Sequence, residues 1–327
     1  MIEFNSVLKD EFFQFLQLRI ATKSKSASDH DRHTLQLFDT YLCGIGCKDK
    51  NLSEEEVTGW LTSLEGKSSS KANQVIVIRI FLEQLNGYGI QPYIPPIPKV
   101  NEDYIPYIFS DIELVEIFTL TDGLKTGPIL KNKYIHLELP MIIRLMYGCG
   151  LRIGETLFLQ MKDVDMGLGV LTLRYTKGDK QRFVPMHSSL TDILKHYCMA
   201  MGIIGMPDAY LFPESYFDKA LKVASARHKF EAILKQANIS LPGRKKHERG
   251  PCLHCLRHVF TFKAFRNAEM GGRRVDDLVP YLSIYLGHDS LRETEKYLKF
   301  SSEMFPEAME LFDDYTTQIF PEVNFDE

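Results

Sequence analysis

The sequence predicts a mainly α-helical protein with an N-terminal all-helical domain and a second, mostly helical domain carrying a small antiparallel sheet. Three observations predict it. Apolar residues recur at helical spacing through most of the chain. The spacing drops to strand-like alternation only between Gly169 and Pro185, on either side of one turn. Prolines at 92, 95, 96 and 98 interrupt both patterns. Proline has no backbone donor and biases its predecessor to extended geometry, so this stretch reads as a linker.

Taken in order, Val7 to Ile20 and His33 to Tyr41 carry apolar residues at helical spacing, the latter with Leu35, Leu37 and Phe38. Ser53-Glu54-Glu55-Glu56 has the spacing of a capping box and opens a helix holding Val57, Trp60 and Leu61. Serines 68 to 70 lead into a helix from Ala72 to Leu85. Residues 1–95 therefore form one helical domain, with a linker at 96–108. Ser110-Asp111-Ile112-Glu113 is a second capping box, for a helix through Phe118. Ile135 to Tyr147 is helical, starting or kinking at Pro140 and stopped by Gly148 and Gly150. Gly169 to Tyr175 and Gln181 to Pro185 read as two short strands joined by the turn Lys177-Gly178-Asp179-Lys180. Helical patterns follow at about 188–203, 215–237, 253–268 and 291–299, with a last one near 303–314 after the second domain, which spans 109–300.

The charge is unevenly placed. The formal net charge is -4. From Lys219 to Arg274, however, 14 Lys and Arg stand against three acids, whereas residues 302–327 hold eight acids and no Lys or Arg. That asymmetry suits a polyanion-binding face with a separate acidic tail, or simply two solvated surfaces. Six cysteines are spread over the chain, a distribution of free thiols rather than a disulfide framework. No apolar run of about 18 residues indicates a transmembrane helix. Met1-Ile2-Glu3-Phe4-Asn5 does not open a signal peptide, so a cytoplasmic location is the default expectation.

Four segments hold residues suited to chemistry. Gly150-Leu151-Arg152-Ile153-Gly154-Glu155 places Arg152 three residues before Glu155, so the carboxylate can hold the guanidinium on a helix face. Lys177 sits on the hairpin turn, where a flexible cation can reach into a groove. His254-Cys255-Leu256-Arg257-His258 puts His254 and Arg257 on one side of a helix within the basic segment. Leu286-Gly287-His288 ends a helix, and Tyr297 follows nine residues later. Alone, each has an ordinary reading: a surface ion pair, a solvated lysine, incidental polar residues, a packed tyrosine. Together, two arginines, two histidines, a lysine and a tyrosine fit a phosphoryl transfer needing no metal. Two arginines can clamp the nonbridging oxygens, and positive groups favour the tyrosine anion.

In this order, over about residues 105–300, these phrases resemble the tyrosine recombinases of the phage integrase family. The resemblance implies that family's fold and that Arg152 and Arg257 bind the scissile phosphate. It implies that Lys177 protonates the leaving 5′ oxygen, that His254 and His288 assist proton movements, and that Glu155 supports the site. Tyr297 would attack to give a 3′-phosphotyrosine, later reversed by a 5′ hydroxyl through a Holliday junction, with no metal, ATP or other cofactor. Residues 1–95 would be a core-binding domain closing on double-stranded DNA with the catalytic domain. Its major-groove helix would lie at about 70–87, where Lys71, Asn73, Gln74 and Arg79 reach bases or phosphates. Arg244, Lys245 and Lys246 would contact phosphates. Residues 301–327 would form a C-terminal helix and acidic tail docking onto a neighbouring protomer through Phe305, Met309, Leu311 and Phe312. That implies a dimer on one site and a tetramer at synapsis. The short N-terminal region and the phrases around Tyr297 lean towards Xer-like or transposon integrases without an arm-binding domain. Alternatives are a type IB topoisomerase-like enzyme, a catalytically silent DNA-binding regulator on the same fold, and a zinc site at Cys252, His254, Cys255 and His258. The zinc reading lacks a second ligand pair, because Cys43 and Cys47 lie in the other domain.

Overall fold

The computed structural model describes residues 3–100, 106–125, 133–174, 181–241, 250–295 and 297. The chain divides into two compact units, Met1–Tyr104 and Ile105–Glu327.

The first unit is four helices: α1 (Lys9–Thr22), α2 (Lys25–Gly44), α3 (Glu54–Ser63) and α4 (Ser68–Asn86). Their apolar faces meet in an aromatic core. Phe12 stacks on Phe81 at 4.5 Å and Phe38 meets the Trp60 ring edge-on at 4.9 Å, geometries that aromatic quadrupoles favour. The capping box starting α3 is formed: Glu56 accepts from the Ser53 amide at 2.8 Å, and Ser53 Oγ from the Glu56 amide at 3.3 Å. Helix α2 begins eight residues before the sequence pattern, because Ser24 caps it through the Ala27 amide. The prolines do not leave the unit at once. Tyr93 N–H donates to the Leu52 carbonyl at 2.9 Å, and Arg79 on α4 donates to the Pro95 carbonyl.

The second unit contains α5 (Asp111–Asp122), α6 (Ile135–Cys149), α7 (Ile153–Leu157), a 3-10 turn at Met161–Asp163, then β1 (Val164–Asp165), β2 (Val170–Leu173) and β3 (Arg182–Pro185). It continues with α8 (Ser188–Met201), α9 (Val223–Gln236), α10 (Leu253–Met270), α11 (Val275–Leu286) and α12 (Leu291–Glu295). The three strands form one antiparallel sheet in the order β1-β2-β3, with Leu171 opposite both Val164 and Val184. Helices α6 and α10 pack together through the main core, where Ile142, Leu145, Met146, Leu256 and Val259 are fully buried.

Mainly helical with a small antiparallel sheet is thus the observed class, with several corrections of detail. Pro140 neither starts nor ends α6, which runs from Ile135 through it; the proline leaves the His136 carbonyl without a helical donor. Residues 215–222 are not helical. Pro213 pairs with Ala220, and Leu221 N–H donates to Phe212 carbonyl at 2.7 Å, so this loop folds back and α9 starts only at Val223. Strand β1 goes beyond the two strands expected. Helix α12 is described over Leu291–Glu295, and Tyr297 lies in a turn, its ring drawn among Phe265, Val279, Leu282 and Leu286. Positions 296 and 298–299 of the expected 291–299 helix lie outside the described residues. The expected helix at 303–314 and the hairpin turn at 177–180 lie outside the described residues.

Glu138 on α6 is fully buried, and among the described residues neither carboxyl oxygen has a hydrogen-bond partner. Burial pushes its pKa up to about 8, because a carboxylate loses its hydration there. The folded value lies above the unfolded one, so the stability tied to the neutral acid is full below the ordinary carboxyl range. It is lost as pH rises through about 8. Glu138→Gln should therefore melt progressively higher than the natural chain as pH is raised from 5 to 9, in thermal melts followed by circular dichroism. A pH-independent difference would sink this account.

Candidate active site

Helix α6 stops because Gly150 takes a left-handed φ of 62°, a conformation open to glycine at little cost. A Cβ there would also lie 2.5 Å from the Phe260 ring of α10. The chain then turns directly into α7, whose N-cap is Arg152 and whose third residue is Glu155. Helix α11 ends in the same way at Gly287, φ 64°. These two glycine turns and the first half of α10 frame the site.

At its centre is the buried carboxylate of Glu155. Oε1 accepts from Arg152 Nη1 and Arg182 Nη1, each at 2.9 Å. Oε2 accepts from the Arg152 amide and Arg182 Nη2, also at 2.9 Å, with Arg257 Nη1 3.8 Å away. Each oxygen therefore receives two N–H groups, and Arg182 grips both in the bidentate fork that guanidinium favours. Burial alone would raise the Glu155 pKa, but Arg182, the Arg152 amide and Arg257 outweigh it and hold it below the usual carboxylate range.

The same arginines satisfy the carbonyls at the end of α11. Arg182 Nε donates to Tyr285 O at 2.9 Å, Arg257 Nη2 to Leu286 O at 2.8 Å and Arg152 Nη2 to Gly287 O at 3.0 Å. Arg257 Nη1 reaches across to the Gly150 carbonyl at 2.7 Å. These carbonyls lack helical donors and carry the negative end of the helix dipole. Arg257 is only 1% exposed. Burial, followed by Arg152, pulls its pKa down to about 10. Three guanidiniums against one carboxylate leave an excess positive charge suited to an anion.

His288 follows Gly287 and is half-buried, its Nδ1 2.6 Å from Thr294 Oγ1. Burial first, then Arg257, Arg152, Arg182 and His254, lower its pKa to about 3, so it is neutral at ordinary pH. His254 lies on the exposed outer side of α10, its ring edge-on to His258 at 4.6 Å. The close pair on this helix is thus His254 with His258, four residues apart, while Arg257 turns inward to the two carbonyls. Tyr297 is buried, and its hydroxyl lies 2.6 Å from His258 Nδ1. Burial raises its pKa, opposed by Arg257, Thr261 and Arg152.

Of the residues singled out in the sequence, Arg152, Glu155, Arg257, His254, His288 and Tyr297 come together here. Lys177 and the basic run Arg244, Lys245 and Lys246 lie outside the described residues. On α4, Asn73 is exposed, Lys71 and Gln74 are half-buried, and Arg79 is engaged by Pro95 and by Glu83 at 2.9 Å. Arg182 was not singled out, and His258 entered only within the His254–His258 phrase and as a zinc candidate. Arg182 carried one signal: strand alternation places it on the face of buried Val184, opposite Phe183, which is 73% exposed. Cys252 and Cys255 Sγ lie 3.7 Å apart, and among the described residues no three His, Cys, Asp or Glu side chains gather as a metal site would require.

The sequence profile of the phage integrase family matches residues 124–304. The y4rB protein of Sinorhizobium fredii, named as an integrase/recombinase, is 32% identical over 256 residues, 73% of this chain and 76% of its own length. Among solved structures, the XerH site-specific recombinase bound to its difH substrate superposes with a TM-score of 0.69 at 17% identity. It covers 95% of this chain and 98% of that one. The Tn1549 transposon integrase in complex with transposon right-end DNA gives 0.65 at 14% identity, over 94% and 100%. At these identities the structures show a shared fold.

Removing the central charge tests the cluster. Glu155→Gln leaves the buried guanidiniums without their counter-ion and should cost about 3–5 kcal/mol at pH 7, read from the urea midpoint. The folded pKa of Glu155 is depressed, so its contribution is present above the ordinary carboxyl pKa and lost as pH falls through the folded value. The gap between the two proteins should therefore narrow in acid. A constant gap would contradict an ionised Glu155.

Proposed function

The chain belongs to the phage integrase family of tyrosine recombinases, and on that footing we propose that it cuts and rejoins DNA at specific sites through a covalent bond to Tyr297. Arg152 and Arg257 hold the nonbridging oxygens of the scissile phosphate, and Arg182 and Glu155 hold the arginines. His288 and His254 bind phosphate oxygens and assist proton movements, and Lys177 protonates the leaving 5′ oxygen. Attack by Tyr297 gives a 3′-phosphotyrosine and a free 5′ hydroxyl. The energy of the cleaved diester stays in the tyrosyl ester, so rejoining to a partner strand requires neither ATP nor metal.

The observation that carries this reading is the meeting of Arg152, Arg257, His288 and Tyr297, from three separated segments, around one positively charged centre. Burial makes His288 a neutral hydrogen-bond partner rather than another cation, so phosphate charge is met mainly by guanidinium.

The helical unit before the linker supplies DNA binding, with α4 and its Lys71, Asn73 and Gln74 towards the duplex. Arg79, held by Glu83 and Pro95, would have to exchange partners to take part. Arg244-Lys245-Lys246 adds phosphate contacts, giving salt-dependent affinity without sequence information. Residues 301–327 dock on a neighbouring protomer, giving a dimer on one site and a tetramer at synapsis. No helix among the described residues is long and apolar enough to cross a membrane; with DNA as substrate, the place of action is the cytoplasm. Relatives named as integrases and a transposon integrase of the same fold favour integration or excision of a mobile element.

The test is covalent trapping. The protein is mixed in EDTA with nicked duplexes of randomised sequence and quenched with SDS, and the DNA that stays attached is sequenced. An SDS-stable adduct, absent from Tyr297→Phe, is expected. DNA binding without any adduct would turn the reading towards a silent regulator, and an adduct persisting in Tyr297→Phe would mean a different nucleophile. Relaxation of plasmids without a shared site would favour a topoisomerase.

A further inference from the structure

We infer that His258 is a catalytic residue, the base that takes the Tyr297 hydroxyl proton as the tyrosine oxygen attacks phosphorus. The inference rests on the recombinase reading above and adds a catalytic residue to it.

Geometry carries the assignment. His258 Nδ1 and Tyr297 Oη are 2.6 Å apart, the ring centroids are 5.4 Å apart, and both side chains are buried. In the tautomer protonated at Nε2, Nδ1 is the acceptor and the tyrosine O–H donates to it. That is within the reach required of a general base. His288 Nδ1 pairs with Thr294 Oγ1 at 2.6 Å, and His254, one turn back on α10, sets its ring edge-on to that of His258 at 4.6 Å. His254, His258 and Thr261 follow one another at spacings of four and three along one face of α10, so a single helix sets the base, its neighbour and the Thr261 hydroxyl against Tyr297.

The step balances. The Tyr297 O–H proton passes to His258 Nδ1, and the oxygen lone pair forms the bond to phosphorus. The P–O5′ bond breaks, and the departing oxygen takes a proton from the general acid, assigned above to Lys177. In the reverse step His258 returns its proton to the tyrosine as the new 5′ hydroxyl displaces it. The charged and titratable groups facing the pair are His254, Cys255 and Arg257 from α10 and Arg152 from the turn before α7. The two arginines favour the developing phenolate.

The experiment uses the full chain and the randomised nicked-duplex pool, with the initial rate of SDS-stable adduct measured from pH 5 to 9. His258→Asn keeps an acceptor near Nδ1 but cannot take a proton. It should form adduct about 100-fold more slowly, the lower end of general-base effects. Its rate should keep rising with pH where the natural chain levels off above the imidazole titration. His258→Ala should regain adduct formation on addition of imidazole, and DNA retention in gel shifts should be unchanged in both. A natural rate and pH profile in His258→Asn would overturn the inference. So would equal losses in both variants with an unchanged profile and no response to imidazole, which would assign His258 to packing. Should His258→Ala fail to fold, the pH profile of His258→Asn, with its fold checked by circular dichroism, decides alone. Absence of adduct from the natural chain itself would overturn the underlying recombinase reading, an outcome distinct from either.

Discussion

The buried carboxylate of Glu155 is the interaction on which the site depends. Desolvating a carboxylate costs several kcal/mol unless its lone pairs are filled, and here each oxygen accepts two N–H groups. The benefit runs the other way as well. Arg152, Arg182 and Arg257 repel one another, and after burial itself Arg152 and Arg182 add to the lowering of the Arg257 pKa. One full negative charge and three carbonyls at the end of α11 let them stand together. The same carboxylate caps α7, so the local start of a five-residue helix and the assembly of the cluster are one event.

Glu155 and Glu138 show how little residue type decides. Both are buried acids in the second unit. Surrounded by guanidiniums, Glu155 is held ionised; without a partner for either oxygen among the described residues, Glu138 is pushed towards the neutral acid. Locally only Arg152 distinguishes them, because the other deciding partners of Glu155, Arg182 and Arg257, arrive from β3 and α10.

That contrast explains what could be read in advance. The two capping boxes were legible, since Ser53 with Glu56 and Ser110 with Glu113 act within four residues. The pairing of Arg152 with Glu155 was legible for the same reason. The helical class and the alternation of β2 and β3 followed from periodicity. Arg182 was missed because its partners, Glu155 and the Tyr285 carbonyl, lie 27 and 103 residues away in sequence. His258 was legible only as part of a phrase and as a zinc candidate, because its contact with Tyr297 depends on which way the Tyr297 turn folds. The pattern at 215–222 reads as helix, but the pairing of Phe212 with Leu221, both buried, folds this stretch back as a loop.

The distances along the chain have a consequence for biosynthesis. Arg152 finds its carbonyl partners 134 and 135 residues downstream, at Leu286 and Gly287, and Arg257 spans 107 residues back to Gly150. A ribosome making this protein therefore releases the guanidiniums long before the α11 turn that seats them exists. Until that turn emerges, the guanidiniums lack the carbonyls of Tyr285, Leu286 and Gly287 that seat them. Assembly of the arginine cluster therefore waits for the α11 turn, a timing set by topology rather than by an inhibitor.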